Sequence, residues 1–241
     1  MAKVSVIMPV YNGENYIANS IRTVYEYMST LRLPFEIIVV DDGSVDATQE
    51  KAVAEARQLP GVRVISYKPN RGKGYALVQG VLHSAGDIVV FLDADLDIPP
   101  QQVKILLRAL DQGEVAITNK WHPLSKTVAT AFRRFASWTF NLLARILTGI
   151  RIRDTQTGAK AFKRYVLKEV IPLLSVHRYA FDLELLTAVT AKGFRVVEVP
   201  ALYPIKLTGR FRVRDIVRML HDIGYVAVKH RLLKYYSRTS Q

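Results

Sequence analysis

Three aspartates at alternating positions, Asp93, Asp95 and Asp97, directly follow the apolar run Val89–Leu92. A short run of bulky apolar residues bounded by turn formers predicts a strand buried on both faces, as in a parallel sheet. The acids would then lie at the carboxyl end of that strand, where open α/β sheets bind ligands. Their oxygens suit Mg²⁺ or Mn²⁺ bridging to a diphosphate. The alternative is an acidic turn that caps a helix beginning near Pro100.

The elements around these acids alternate between strands and helices. Apolar runs predict strands at residues 3–8, 35–40, 62–67 and 89–92. Helical spacing predicts helices at residues 14–29, 46–59 and 70–84. This alternation with short loops predicts an α/β fold with a mostly parallel, doubly wound sheet. Three further loops should therefore reach the acidic edge of the sheet, at residues 9–14, 41–46 and 70–76.

The loop at residues 70–76 is rich in glycine and basic residues. Arg71 and Lys73 stand beside a predicted helix N-terminus, which suits a nucleotide phosphate. No Ser or Thr follows Lys73, so the stretch is not a P-loop. The alternative is that its glycines only permit a tight turn. In the preceding loop, Asp46 is predicted to cap the following helix.

The composition of the chain excludes some kinds of site and favours anionic binding partners. The chain has 241 residues, no cysteine and a net charge of +13. Disulfides, thiolate metal sites and cysteine nucleophiles are therefore excluded, and we expect neither a signal peptide nor a bilayer-spanning segment. Residues 118–165 contain ten basic residues and one acidic residue, and residues 206–241 contain nine and two. Two basic segments of this kind suit nucleic acid, anionic lipid or phosphorylated substrates.

The first basic segment follows a predicted strand at residues 114–118 and contains a predicted helix at residues 127–149. This helix has a narrow polar stripe, and most of its remaining surface is apolar and aromatic. Such a helix is either buried in the domain or lies in a membrane interface.

The second basic segment follows two predicted strands, at residues 195–199 and 201–205. Within residues 206–241, apolar and basic side chains occupy opposite faces of a predicted helix. A basic amphipathic tail suits an anionic membrane surface, and the alternative is docking on a sister subunit. A separable tail predicts that removing residues 212–241 leaves nucleotide-sugar affinity nearly intact.

The four loops, taken in order, resemble those of family 2 glycosyltransferases, the inverting enzymes with the GT-A fold. The resemblance implies a nucleotide-sugar donor, with Pro9, Tyr11 and Asp42 forming a base pocket. It also implies that Asp93-Ala94-Asp95 is a metal-binding DxD motif for Mg²⁺ or Mn²⁺, in which Asp95 is the direct ligand. Further donor contacts are expected from the remaining polar residues of the loops, namely Asn12, Glu14, Asp41, Arg71 and Lys73.

Two later motifs resemble the dolichyl-phosphate glucosyltransferases and the related dolichyl-phosphate mannose synthases. They are Arg153-Asp154-Thr155-Gln156 and the segment Phe181-Asp182-Leu183-Glu184-Leu185-Leu186. The eukaryotic relatives carry an N-terminal membrane anchor, whereas this chain begins at the first strand. Asp182 and Glu184 diverge by about 200° on a helix, so only one faces the cleft, and we favour Asp182.

The resemblance implies transfer of a hexose to a polyprenyl phosphate such as dolichyl phosphate. The favoured donor is UDP-glucose. A phosphate monoester with a second pKa near 6 is already largely dianionic at neutral pH, so no strong general base is needed. Asp154 and Asp182 would orient sugar or acceptor, and Asp95 would act through the metal. Cations to hold the two anions together are expected in the first basic segment, namely Arg133, Arg134, Arg145, Arg151 and Arg153.

Three alternatives remain: GDP-mannose as donor, transfer to a soluble hydroxyl acceptor, and a nucleic-acid-binding protein. The last is disfavoured because the aromatic residues fall on helices, so we expect no nucleic-acid partner. We divide the chain into a catalytic domain, residues 1–205, and a membrane-interface tail, residues 206–241. The catalytic domain has a nucleotide-binding half, residues 1–118, and an acceptor half, residues 119–205. The expected location is peripheral, on the cytoplasmic face of a membrane.

Overall fold

The computed structural model describes residues 2–125, 127–128, 131–178, 180–203, 205–206 and 213–237. Within these residues, seven strands form one sheet and two short strands form another. The strands are β1 (Val4–Val10), β2 (Phe35–Asp41), β3 (Val62–Ser66), β4 (Ile88–Phe91), β5 (Val115–Asn119), β6 (Thr127–Val128), β7 (Lys160–Lys163), β8 (Val196–Pro200) and β9 (Ile205–Lys206). The helices are α1 (Ile17–Thr30), α2 (Thr48–Ala56), α3 (Lys73–His83), α4 (Gln102–Ala109), α5 (Ala131–Thr148), α6 (Arg164–Val170), α7 (Phe181–Ala191) and α8 (Val213–Ala227).

The large sheet has the strand order β3-β2-β1-β4-β7-β5-β8. Only β7 runs antiparallel to its neighbours, β4 and β5. The predicted mostly parallel, doubly wound α/β fold is therefore confirmed. Strands β1, β2 and β4 of this sheet bring their carboxyl ends together. The loops predicted to bind the nucleotide-sugar donor, called the donor loops below, therefore lie at one edge of the sheet.

Two predictions in the second half are wrong. The helix predicted from residue 127 begins at Ala131, because Thr127 and Val128 form β6 and pair in parallel with β9. Both residues are β-branched and favour extended backbone. The strand predicted at residues 201–205 is reduced to β9, Ile205–Lys206.

Apolar side chains cover both faces of the sheet. One core cluster lies beneath α1, α2 and α4, and the other lies beneath α3, α6 and α7. The second cluster includes Ile223 and Val226 of α8, and also Tyr236, which is fully buried. The segment predicted as a separable tail therefore completes the core from Ile223 onward. The side chains of residues 213–219, on which the predicted apolar and basic faces partly depend, lie outside the described part of the chain.

No helix in the described part of the chain has the length and apolar character needed to cross a bilayer.

Candidate active site

The first two donor loops are joined by hydrogen bonds. The Asn12 N–H donates to Ser44 Oγ at 2.9 Å, and the Val45 N–H donates to Asn12 Oδ1 at 3.0 Å. The Ala47 N–H donates to Glu14 Oε2 at 3.1 Å. Asn12 and Glu14 thus already bind protein groups, whereas Pro9 lies in β1 and Tyr11 is 48% exposed. Of the residues predicted in this loop, Tyr11 is the side chain most available to a ligand.

Asp46 lies one residue before the N-cap of α2, which is Ala47, so the prediction that it caps this helix is wrong. Its Oδ1 accepts a hydrogen bond from the Thr48 N–H at 3.1 Å, and its Oδ2 accepts one from the Glu14 N–H at 3.3 Å. Desolvation would raise the pKa of Asp46, but hydrogen bonds from Thr48 and Glu14 together hold it below its usual value. Asp46 therefore links the first turn of α2 to the first donor loop.

Asp41 and Asp42 are both buried and hydrogen-bonded within the protein. Asp41 accepts from the Ser44 N–H at 3.1 Å and from the Ser66 hydroxyl at 2.8 Å. Asp42 accepts from four donors at 2.7–2.9 Å, which hold the third loop against the second. They are the Tyr67 hydroxyl, the Asn70 Nδ2, and the Arg71 and Gly72 N–H groups. Burial and the bond to Asp42 raise the pKa of Tyr67, so its hydroxyl stays protonated.

We expect Asp42→Asn to lower both the stability of the fold and the affinity for UDP. The new amide N–H₂ would face existing donors, a mismatch that costs about 1–3 kcal/mol for a buried group. Thermal unfolding and titration calorimetry with UDP check this, with the exposed Asp111→Asn as control. An unchanged melting temperature with weaker UDP binding would instead support the predicted contact between Asp42 and the base.

The acidic pair after β4 lies beside Lys73. The Lys73 Nζ and Asp93 Oδ1 are 2.6 Å apart, and the Asp95 side chain is exposed. Desolvation and the negative charge of Asp93 raise the pKa of Asp95, which is the arrangement that a cation relieves. A Cβ atom at Gly158 would overlap Asp93 Oδ2, so only glycine allows the loop before β7 to approach this closely.

The carboxylate oxygens of Asp93 and Asp95 fit a divalent metal that also binds a diphosphate. Among the residues that the structure describes, no three His, Cys, Asp or Glu side chains form a metal-holding group. Mg²⁺ is commonly held by one or two carboxylates together with substrate phosphates and water. Asp93 and Asp95 meet that requirement, with the remaining ligands left to the substrate.

A second lysine, Lys160, is buried and binds the carboxylate of Asp182. The Lys160 side chain is only 1% exposed, and its Nζ donates to Asp182 Oδ1 at 2.8 Å and to the Thr157 carbonyl oxygen. Burial alone would lower the pKa of Lys73, but Asp93 and Asp182 raise it above its usual value. Lys73 thus interacts electrostatically with both acids. Sequence reasoning missed Lys160, because a lysine in a four-residue strand has no periodic signal.

Asp154 is fully buried and is hydrogen-bonded to protein groups. Its oxygens accept hydrogen bonds from the Lys120 N–H and Nζ, both at 2.9 Å, and from the Gln156 N–H and Thr157 hydroxyl. Burial would raise the pKa of Asp154, but Lys120 and these hydrogen bonds hold it below its usual value. Its arrangement suits holding the loop at residues 154–157 in place. The predicted direct contact with substrate stays a prediction.

The predicted arginines are only partly described. Arg145, Arg151 and Arg153 are exposed, and the Arg153 N–H donates to Glu198 Oε1 at 2.9 Å. The side chains of Arg133 and Arg134 lie outside the described part of the chain.

A cavity of about 410 Å³ opens beside the third loop. It is lined mainly by basic and polar side chains, including those of Arg71, Ser175, His177, Arg178, His221 and Tyr225. This places positive charge next to the predicted donor loop.

An open, doubly wound sheet with paired carboxylates and a lysine at its strand ends is typical of nucleotide-binding α/β enzymes. Residues 5–171 match the family described as Glycosyl transferase family 2, and the chain belongs to that family. The predicted resemblance is thereby confirmed.

Two curated relatives are similar along most of the chain. A dolichyl-phosphate beta-glucosyltransferase of Trichomonas vaginalis is 27% identical over 241 residues, which cover 95% of this chain and 74% of the relative. An undecaprenyl-phosphate 4-deoxy-4-formamido-L-arabinose transferase of Edwardsiella ictaluri is 30% identical over 225 residues, covering 91% and 66%.

Solved structures share the fold. Glucosyl-3-phosphoglycerate synthase of Mycobacterium tuberculosis has a TM-score of 0.71 and 22% identity, with 100% of this chain and 82% of that chain covered. The same enzyme was solved with Mn²⁺, UDP-glucose and phosphoglyceric acid, at a TM-score of 0.69 and 22% identity, with coverage of 100% and 81%. The predicted GT-A fold is confirmed.

Proposed function

We propose that this glycosyltransferase transfers a hexose, with inversion, from a nucleotide diphosphate sugar to a polyprenyl phosphate such as dolichyl phosphate. UDP-glucose is the favoured donor. The observation that carries the proposal is similarity over more than nine-tenths of the chain to transferases named for polyprenyl phosphate acceptors. The acidic pair beside Lys73 supports the donor half of the reaction.

Asp93 and Asp95 would hold Mg²⁺ or Mn²⁺, which when bound neutralises charge on the leaving diphosphate. Carboxylate oxygens suit both Mg²⁺ and Mn²⁺. We assign Lys73 to the diphosphate, since its Nζ lies 2.6 Å from the Asp93 carboxylate. Positive charge from Lys73 and from the metal would stabilise the charge that develops on the leaving group.

For the acceptor's part of the reaction, the protein needs to position the acceptor phosphate against the sugar. A phosphate monoester that is already largely dianionic attacks without a strong base. Asp182 is held by the Lys160 ammonium, and the carboxylate of Asp154 binds Lys120 and its own loop. We assign both acids to orientation of sugar or acceptor, and the exposed cations Arg145, Arg151 and Arg153 to the acceptor phosphate.

Transfer to a soluble acceptor is the second candidate, because the similar synthase of known structure is named for a soluble phosphoglycerate product. If that acceptor reacts through a hydroxyl group, a general base is required, and Asp182 is the candidate. GDP-mannose remains the alternative donor.

A donor and acceptor screen tests the proposal. Release of nucleotide is measured for UDP-glucose, GDP-mannose and UDP-GlcNAc, each with a polyprenyl phosphate or with 3-phosphoglycerate. We expect release with UDP-glucose that depends on the polyprenyl phosphate. Equal or faster release with the soluble acceptor would favour the second candidate.

We further propose that the protein lies on an anionic membrane surface, at the cytoplasmic face, and binds no nucleic acid. Large apolar side chains are exposed at the end of α5 and along α8 with the segment after it, namely Ile146, Leu147, Leu220, Val228, Leu232 and Leu233. Exposed basic residues accompany them, including Arg145, Arg231 and Lys234. Apolar burial combined with roughly 1 kcal/mol per basic residue supports reversible binding at such a surface.

We expect binding to anionic liposomes at low salt that weakens as salt is added, because exposed charges are screened within about 8 Å at physiological ionic strength. Leu232→Glu should weaken cosedimentation, since Leu232 is 75% exposed beside Arg231. Leu82→Glu, at another exposed leucine on α3, is the matched control. Equal cosedimentation of the two variants, or preferential binding to RNA, would contradict the proposal.

A further inference from the structure

Among the described residues after 118, the carboxylate of Glu184 accepts the most hydrogen bonds, and it lies on the face of α7 opposite Asp182. Its side chain is fully buried. Oε2 accepts from the Ser175 and Val176 N–H groups at 2.8 and 2.7 Å, and Oε1 accepts from the Ser175 hydroxyl at 3.0 Å. The loop at residues 174–178 is therefore fixed by one buried anion.

The C-terminal segment supplies the remaining donors to Glu184. The Lys229 Nζ lies 3.0 Å from Oε1, and the Tyr236 hydroxyl lies 2.6 Å from the same atom. The Lys229 ammonium is also within 4.3–5.4 Å of the ring centroids of Tyr225, Tyr235 and Tyr236. Burial and the bond to Glu184 raise the pKa of Tyr236, so its hydroxyl remains a donor.

On its other side, the loop contacts the start of α3. The Gly74 N–H donates to the His177 carbonyl oxygen at 2.9 Å. A Cβ atom at Gly72 would overlap that oxygen, and one at Gly74 would overlap the Phe181 ring. The loop and the first turn of α3 are thus packed too closely to move independently. That first turn carries Lys73, whose Nζ meets Asp93.

We propose that Glu184 is a positioning residue for the donor site, through which the C-terminal segment holds the first turn of α3 and Lys73 in place. The path runs from Lys229 and Tyr236 to Glu184, then through the backbone of residues 175–177 to Gly74. The consequence for donor affinity rests on the proposed function, whereas the mechanical link does not.

Hydrogen exchange tests the mechanical link without any ligand. Tyr236→Phe keeps the ring and removes one donor to Glu184, and Glu184→Gln removes the charge. The matched control is Glu36→Gln, since Glu36 is also buried and accepts from Ser5 and the Ala85 N–H at the opposite end of the strands. We expect the amides of residues 73–76 to exchange about ten-fold faster in the first two variants and unchanged in the control.

Calorimetry with UDP tests the functional consequence. We expect Tyr236→Phe to bind UDP about ten-fold more weakly than wild type, with the Glu36→Gln control close to wild type. Unchanged exchange at residues 73–76 in Tyr236→Phe overturns the inference, as does equal acceleration in all three variants. If Glu184→Gln does not fold, Tyr236→Phe decides alone. A wild-type protein that does not bind UDP overturns the UDP-sugar assignment, while the exchange result still decides the link.

Discussion

Replacing Asp95 by asparagine is expected to reduce turnover on the order of 100-fold to 1,000-fold, the loss typical of removing one group that stabilises transition-state charge. Asparagine keeps the shape of the side chain but removes the charge that would bind the divalent metal. The fold should survive, because Asp95 is exposed and accepts a local hydrogen bond from the Asp97 N–H. Steady-state kinetics with Mg²⁺ and Mn²⁺ titrations measure the effect.

Direct binding of Mn²⁺ in the presence of UDP, followed by electron paramagnetic resonance, provides a readout independent of turnover. Asp95→Asn should weaken that binding, and Asp111→Asn, at an exposed position, should not. Metal-dependent turnover at close to the wild-type rate in Asp95→Asn would contradict the assignment of this carboxylate.

Replacing Lys229 by alanine is expected to destabilise the fold by roughly 3–5 kcal/mol, the cost of leaving a buried charge without its ion-pair partner. Glu184 would keep its hydrogen bonds to the loop but lose the ammonium 3.0 Å away. For a chain of this size the loss corresponds to a fall in melting temperature of roughly 6–20 °C. Differential scanning calorimetry measures it.

Lys104→Ala, at an exposed lysine of α4, is the control and should shift the melting temperature little. A small shift in Lys229→Ala would contradict the stabilising role assigned to its buried ion pair with Glu184. The same packing argues against intact nucleotide-sugar affinity after removal of residues 212–241, since that truncation also removes Ile223, Val226 and Tyr236 from the core.

The first half could be predicted from sequence because its strands are buried runs and its helices are periodic. Each of the four donor loops follows such a run, so their meeting at one sheet edge needed only the parallel topology. Strand β7 gave no comparable signal. Its four residues begin and end with lysine, and their pairing with β4 and β5 depends on contacts distant in sequence.

Side-chain roles were harder to predict than positions. The sequence places Asp42 and Asp154 in the correct loops, but residue type does not reveal that neighbouring N–H groups, hydroxyls and a lysine already occupy their oxygens. Glu184 shows the same limit, because its partners Lys229 and Tyr236 lie 45 and 52 residues away. A basic, amphipathic pattern describes the C-terminal segment without showing which of its polar groups are buried.

The reaction proposed for this protein is the inverting transfer of a hexose to a polyprenyl phosphate. The most direct measurement is isolation of the lipid product from anionic vesicles containing polyprenyl phosphate, UDP-glucose and Mg²⁺ or Mn²⁺. Mass spectrometry and proton NMR of that product should show a polyprenyl phosphate bearing one hexose in the β configuration, and none when EDTA is present. An α-linked product, or a polyprenyl phosphate that stays unmodified while UDP-glucose is consumed, would contradict the account.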